Sequence, residues 1–329
     1  MPFLSWAARR RKADTMVEYL KTIAGRVAAI GNFEDGCWVN IVRPSSDELK
    51  LVFAQTGAEE DFIRAALDPE ESSRVEIEED QVLMIVDIPT VEKERENEEG
   101  SQIFATLPMG IIILPNAVIT VCLQDSVVLR SIAEGAVKDI HTSLKTRFVF
   151  QILLRVAGRF LKNLRLIERD FTKIERRLYD SLKNEELIQL LGLSKSLVYF
   201  SASLKGNEVT MEKVLRGRVL KLYEDDRDIL EDALIEIRQA IEMSNIYSSI
   251  LAGTMDAYAS VVSNNLNIIM KVLTVITIIM TIPNIIFGFY GMNITNGGLP
   301  FAMFWWVPVL LAGIGMTAAW IYLKKNNLS

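Results

Sequence analysis

Hydrophobic and polar positions change their period once along this chain and then lose their polar phase near its end. Up to about residue 145 the apolar residues come in short runs. Residues 39–42, 75–78, 82–88, 103–107, 110–114 and 118–123 are rich in Val and Ile and are bounded by Pro, Asn or acidic clusters, which predicts strands. Residues 46–55 and 59–66 read as helices, the first with Ser45 or Ser46 as its N-cap. A charged connector covers 92–100, so 1–145 is expected to form a mixed α/β domain. From Leu144 the period becomes helical. Val149, Leu153, Val156, Phe160, Leu164 and Ile167 line one face and charges dominate the other, predicting a helix over 146–182. A second helix over 185–204 follows the polar link Lys183-Asn184, and the two should pair as an antiparallel hairpin. The connector to 224 begins at Lys205-Gly206-Asn207, with a brief helical piece after it.

The next pattern opens on Glu224-Asp225-Asp226 and runs without a proline to Pro283, with Gly253 as its only glycine. A helix of about 65 residues, roughly 100 Å long, is implied. Such a helix has no core of its own and demands partners. Its first part, 225–266, reads as a stalk. Its second, 267–290, reads as a transmembrane helix, because 272–289 carries no charge and the run crosses about 30 Å of hydrocarbon. A second span is expected over 301–322, with Trp305 and Trp306 at one membrane interface and Trp320 and Tyr322 at the other.

The first span is not uniformly apolar. Asn267, Met270, Thr274, Thr277, Thr281, Asn284 and Gly288 follow one another at alternating spacings of three and four, which puts them on one face. An amide such as Asn284 facing lipid would lack partners, so the face should look at protein or water. Two readings stay open: a helix–helix seam, since small and hydroxylated residues pack helices in membranes, or a pore wall built when several copies turn the stripe to a shared axis. Pro283 suits either.

Composition narrows the classes. Half of the 329 residues are apolar, and 42 Asp and Glu against 36 Lys and Arg give a net charge of −6. This argues against nucleic acid and is compatible with divalent cations. Cys37 and Cys122 lie far apart and His141 is the only histidine, so no zinc cluster or disulfide framework is readable. There is no nucleophile elbow, phosphate loop or credible acid–base pair, and the chain is not expected to be an enzyme. The apolar patch before Arg9-Arg10-Arg11-Lys12 is too short and wrongly flanked for a signal peptide. Lys324 and Lys325 follow the second span whereas 293–300 is uncharged, which places both termini in the cytoplasm.

After the first span comes Tyr290-Gly291-Met292-Asn293. A Gly-Met-Asn tripeptide ending the first of two C-terminal spans resembles the signature of the CorA family of magnesium channels. Further similarity runs through 267–274 and, more weakly, through Leu67-Asp68 and Arg74-Val75-Glu76. The resemblance implies a homo-oligomer, a pentamer, in the plasma membrane that admits Mg²⁺, with Co²⁺ and Ni²⁺ as further cations. Mg²⁺ is then substrate and regulatory ligand, and no cofactor is implied. Gly291, Met292 and Asn293 become the selectivity filter in an extracellular loop over 291–300, with Gly291 allowing a backbone turn. The stripe becomes the pore lining, and Met270 with Leu273 a hydrophobic gate. Asp232 on the stalk and Glu92 on the α/β domain are carried over as a regulatory metal site between subunits, with Asp225, Asp228 and Glu236 as other stalk candidates. The link Ile294-Thr295-Asn296-Gly297-Gly298 departs from the family in lacking an acidic residue after the Asn.

The expected fold is therefore an α+β membrane protein: an N-terminal cytosolic α/β domain (1–145), a helical hairpin and connector (146–224), a stalk helix (225–266) continuous with the first of two spans (267–290), the loop, the second span (301–322) and a cytosolic tail (323–329). Two rival functions remain, a proton-coupled Zn²⁺ transporter of the ZntB type and a non-conducting membrane metal sensor.

Overall fold

In the computed structural model, which describes residues 16–91, 103–180, 184–217, 219–220, 222–292, 304 and 306–325, the N-terminal half is built on a seven-stranded sheet. Its strands are β1 (Met16–Ile23), β2 (Arg26–Ile30), β3 (Trp38–Val42), β4 (Arg74–Glu78), β5 (Gln81–Val91), β6 (Phe104–Ile113) and β7 (Val118–Cys122). Their order is β2-β1-β3-β7-β6-β5-β4. Every neighbouring pair is antiparallel except β3 and β7, which run parallel with Asn40 opposite Thr120.

The chain leaves these two parallel strands towards opposite faces. After β3 it forms α1 (Ser46–Thr56) and α2 (Glu60–Ala66). Ser45 caps α1, its hydroxyl accepting from the Glu48 N–H at 3.3 Å while the Glu48 carboxylate accepts from the Ser45 N–H at 2.7 Å, which satisfies two donors that a helix start leaves open. Val52, Phe62 and Ile63 pack on Val39, Ile41, Ile119 and Val121, the odd-numbered residues of the central strands. After β7 the chain forms α3 (Val127–Ala133) and the long α4 (Lys145–Asp180), followed by α5 (Asn184–Leu215). These cover the other face. The Phe148 ring of α4 lies 5.2 Å from that of Trp38, and Phe200 of α5 packs tilted against Phe104 and edge-to-face with Phe160.

Two expectations change here. Residues 103–107 and 110–114 are one strand rather than two, although Pro108 lies between them. Pro108 stands opposite Asp87, whose N–H and carbonyl are both bonded at 2.8 Å by the Asn207 carboxamide, so β5 asks nothing of the missing proline N–H. The same contact explains why α5 does not stop at Lys205. Asn207 is fully buried and fixed on β5, and Gly206 lets the helix approach Ser73, which a Cβ would meet at 3.2 Å. A tertiary contact thus overrides the weak local helix preference of Gly-Asn. Strands β1 and β2 and helix α3 were not expected from the pattern. Residues 181–183 of the hairpin link lie outside the described residues.

Helix α6 (Glu224–Tyr290) has 67 residues, and the division of the chain into two compact units, Met1–Ala252 and Gly253–Ser329, falls within its sequence. Its N-terminal part belongs to the first unit and buries Leu230, Ala233, Leu234, Ile237 and Ile241. Arg147 of α4 holds its first turn, donating to Asp226 at 2.9 Å and Asp225 at 3.1 Å. Helix α7 (Trp306–Lys325) completes the second unit. The architecture is α+β: a soluble-type α/β unit, long helices, and two apolar helices at the C-terminal end. Among the described residues three helices are long and apolar enough to cross a membrane, but α5 buries much of its apolar window, whereas the windows of α6 and α7 are almost bare, with mean hydropathy 2.2 and 1.7.

Candidate functional site

Within the second unit, α6 and α7 meet along one face of each. On α7 Pro308, Ala312, Gly315, Ala319 and Leu323, small for the most part and spaced by three and four, are covered, with Val307, Gly313 and Met316 partly covered beside them. Such residues let two helices approach closely in lipid, where packing rather than hydrophobicity drives association. Gly315 marks the tightest point, since a Cβ there would stand 2.8 Å from Ile282 Cγ2. On α6 the positions covered in turn are Val275, Ile279, Ile282, Pro283, Ile286 and Tyr290. The small-residue face of α7 escaped the sequence reading, though its spacing was there to be read.

The seam is therefore apolar and does not use the polar stripe. Asn267, Met270, Leu273, Thr274, Thr277, Thr281, Asn284 and Gly288 are all exposed in the single chain. At 100° per residue the mean direction of the stripe lies about 160° from that of the covered positions. Leu273 stands to one side of the stripe. Asn267 and Asn284 have no side-chain partner among the described residues. A Cβ on Gly288 would meet nothing within 4 Å.

The three threonines share one geometry. Thr274 Oγ1 donates to the Met270 carbonyl at 2.7 Å, Thr277 to Leu273 at 2.8 Å and Thr281 to Thr277 at 2.7 Å. Each hydroxyl hydrogen is thus spent on the helix itself, one turn back. What remains facing outward is oxygen lone pairs, so the stripe presents acceptors. First-shell waters of a cation point their hydrogens outward, which matches an acceptor surface and mismatches that of an anion.

Immediately past Tyr290, Gly291 and Met292 are described. The Gly291 N–H bonds the Phe287 carbonyl at 2.9 Å, continuing the helical ladder, and Gly291 does not take up the left-handed conformation. Met292 is exposed, and Asn293 lies outside the described residues.

Of the regulatory pair, Glu92 also lies outside the described residues. Asp232 is exposed on α6, one turn before Glu236. Glu236 is half-buried above Gly158 of α4, where a Cβ would come within 3.2 Å of its Oε2. Burial first, and the Asp232 carboxylate second, push its pKa up against the opposing pull of Arg165. Asp225 is held in the ion pair with Arg147, a role that its place in an acidic run did not disclose. Among the described residues, no group of three or more His, Cys, Asp and Glu side chains is placed to hold a metal ion. Both cysteines are buried, and burial pushes the Cys122 thiol up to about 12, which makes it inert.

Comparison with known proteins matches this architecture. The model of the family described as CorA-like Mg²⁺ transporter protein covers residues 33–325. The cobalt/magnesium transport protein CorA of Methanocaldococcus jannaschii is 29% identical over 310 residues, which span 90% of this chain and 93% of that one. The complete structure of the CorA magnesium transporter from Methanocaldococcus jannaschii superposes with a TM-score of 0.80 at 24% identity, covering 95% of this chain and 98% of its own. The ZntB cytoplasmic domain from Vibrio parahaemolyticus is more distant, with a TM-score of 0.60 at 14% identity over 77% of this chain and all of that one. At such identities the two structures speak for the fold alone.

Proposed function

The chain belongs to the CorA-like Mg²⁺ transporter family, and from that premise we propose that it is a plasma-membrane channel through which hydrated Mg²⁺, and with it Co²⁺, enters the cytosol along a pore walled by α6. The observation that carries this reading is the stripe of carboxamides and back-bonded hydroxyls, bare on the side of α6 away from α7. Several copies of the chain, a pentamer by the family resemblance, turn that stripe inward and remove it from lipid.

Mg²⁺ holds six oxygens at about 2 Å and sheds its waters reluctantly, so a pore that recognises the hydrated ion avoids the cost of stripping it. Asn293 contributes a ring of carboxamide oxygens at the outer mouth, beside Gly291 and Met292. Thr281, Thr277, Thr274, Asn284 and Asn267 offer further acceptors along the wall, and Gly288 leaves the lumen wide. Met270 and Leu273 form an apolar constriction that closes by excluding water. Cytosolic Mg²⁺ bound between subunits at Asp232 and Glu92 favours the closed state.

Influx into proteoliposomes, measured with Mg²⁺ and Zn²⁺ in parallel and with and without a proton gradient, tests the reading. Mg²⁺ influx indifferent to the gradient is expected, and proton-dependent Zn²⁺ influx alone would replace it with the ZntB-type carrier. Asn293→Ala should abolish influx with assembly intact. Asn284→Val should reduce it less, because threonine acceptors remain on either side.

A further inference from the structure

A cavity of about 450 Å³ opens in the N-terminal unit between the sheet, α3 and α4. It lies beyond the carboxyl ends of β3 and β7, lined by Val42 and Arg43 from one and by Gln124 to Ser126 after the other. These are the two parallel strands whose onward connections go to opposite faces of the sheet. Divergence of that kind leaves a crevice at the strand ends, and open α/β sheets bind their ligands there. The volume falls within the range of small-molecule sites.

The lining mixes cations, acceptors and apolar side chains. Arg43 and Arg159 both reach the cavity, and neither is in an ion pair among the described residues. Arg43 has a φ of 45°, a left-handed conformation that a residue with a side chain rarely adopts, and its Nε donates to the Leu123 carbonyl at 3.0 Å. Asn163, one turn after Arg159 on α4, is 1% exposed and lines the cavity, yet its Oδ1 has no hydrogen-bond partner. An orphaned buried amide costs stability unless something supplies the bond. Glu18 adds a carboxylate, and Ile88 and Pro89 add an apolar wall.

We propose that this cavity is a binding site for a nucleotide or a similar phosphorylated, hydroxyl-bearing metabolite of that size. The guanidinium groups of Arg43 and Arg159 take the phosphate, whose oxygens match their planar donors. Asn163 Oδ1 and the Glu18 carboxylate accept from sugar hydroxyls, and the body of the ligand rests on Ile88 and Pro89. The site lies wholly within the first unit and does not depend on the pore reading.

Calorimetric titration of the full-length protein in detergent, with AMP and with inorganic phosphate in metal-free buffer containing EDTA, decides the matter. Saturable binding of one AMP per chain is expected, with inorganic phosphate competing but binding at least about tenfold more weakly. Arg159→Gln should weaken AMP by about tenfold or more, the loss of a charge-assisted contact. Asn163→Leu should do likewise while keeping or raising the melting temperature of the ligand-free protein, an outcome that a purely structural asparagine would not give. Absence of saturable AMP binding, phosphate binding as tightly as AMP, or unchanged affinity in Arg159→Gln would each overturn the assignment. Should Asn163→Leu fail to fold, Arg159→Gln alone carries the decision.

Discussion

Asp87 is a single residue whose titration can be read in stability. It is half-buried on β5, and burial raises its pKa above the ordinary 3.8, with a hydrogen bond from Ser203 opposing. The folded chain therefore holds the Asp87 proton more tightly than the unfolded chain does. The stabilisation this gives is complete below 3.8 and is lost as pH rises through the higher folded value. Asp87→Asn, uncharged throughout, should melt above wild type at pH 7, and the gap should close as pH falls towards 3.8 in thermal scans across that range. The burial of Asp87 was not legible in the alternation of β5. The spacing of Thr274, Thr277 and Thr281 was legible, but the direction in which their hydroxyls donate was not, because rotamers do not follow from spacing.

Elements meet at two points where one atom group decides the fit. Asn207 stands in for a neighbouring strand at Asp87, and Asn207→Ala leaves a half-buried N–H and carbonyl without partners. The expected loss is about 2–6 kcal/mol in denaturant unfolding of the chain, from roughly 1–3 kcal/mol for each orphaned group. Gly315 is the second point. Gly315→Val sets side-chain atoms against Ile282 where a Cβ alone would stand 2.8 Å away, whereas Gly313→Val fills open space. Thermal stability in detergent should fall for the first and hold for the second. Of the helices, α1, α4 and α6 were readable from period and caps. The end of α5 was not, since the partner that carries it past Gly206 lies 120 positions away in sequence.

For the whole molecule the prediction concerns regulation. Carboxylates facing one another across subunits repel, and a bound Mg²⁺ offsets the repulsion, so the ion favours the closed assembly only by binding it more tightly than the open one. Shifting the balance from almost open to almost closed takes about 5.5 kcal/mol of differential binding, which equivalent sites in several copies share. Asp232→Asn combined with Glu92→Gln should keep the channel active at internal Mg²⁺ that silences the wild type. Influx recorded while internal Mg²⁺ is stepped upward checks this, and shut-off over the same range in both proteins would move the sensor to Asp228 or Glu236. Asp225 is the weaker candidate because Arg147 already neutralises it.

The sequence alone determined the class: short Val- and Ile-rich runs followed by long helical periods, two uncharged spans and a Gly-Met-Asn end. These follow from local chemistry, because strand and helix periods and the cost of charge in lipid act within a few residues. The two readings of the polar stripe were different in kind. A seam and a pore wall ask for the same residues, and only the packing of Gly315 against Ile282 put the seam on the other face and left the stripe bare. The cavity beyond β3 and β7 was likewise invisible. Arg43 and Arg159 are brought to it by sheet order and by the divergence of two chain connections, and no spacing along the sequence encodes where strands far apart come to lie side by side.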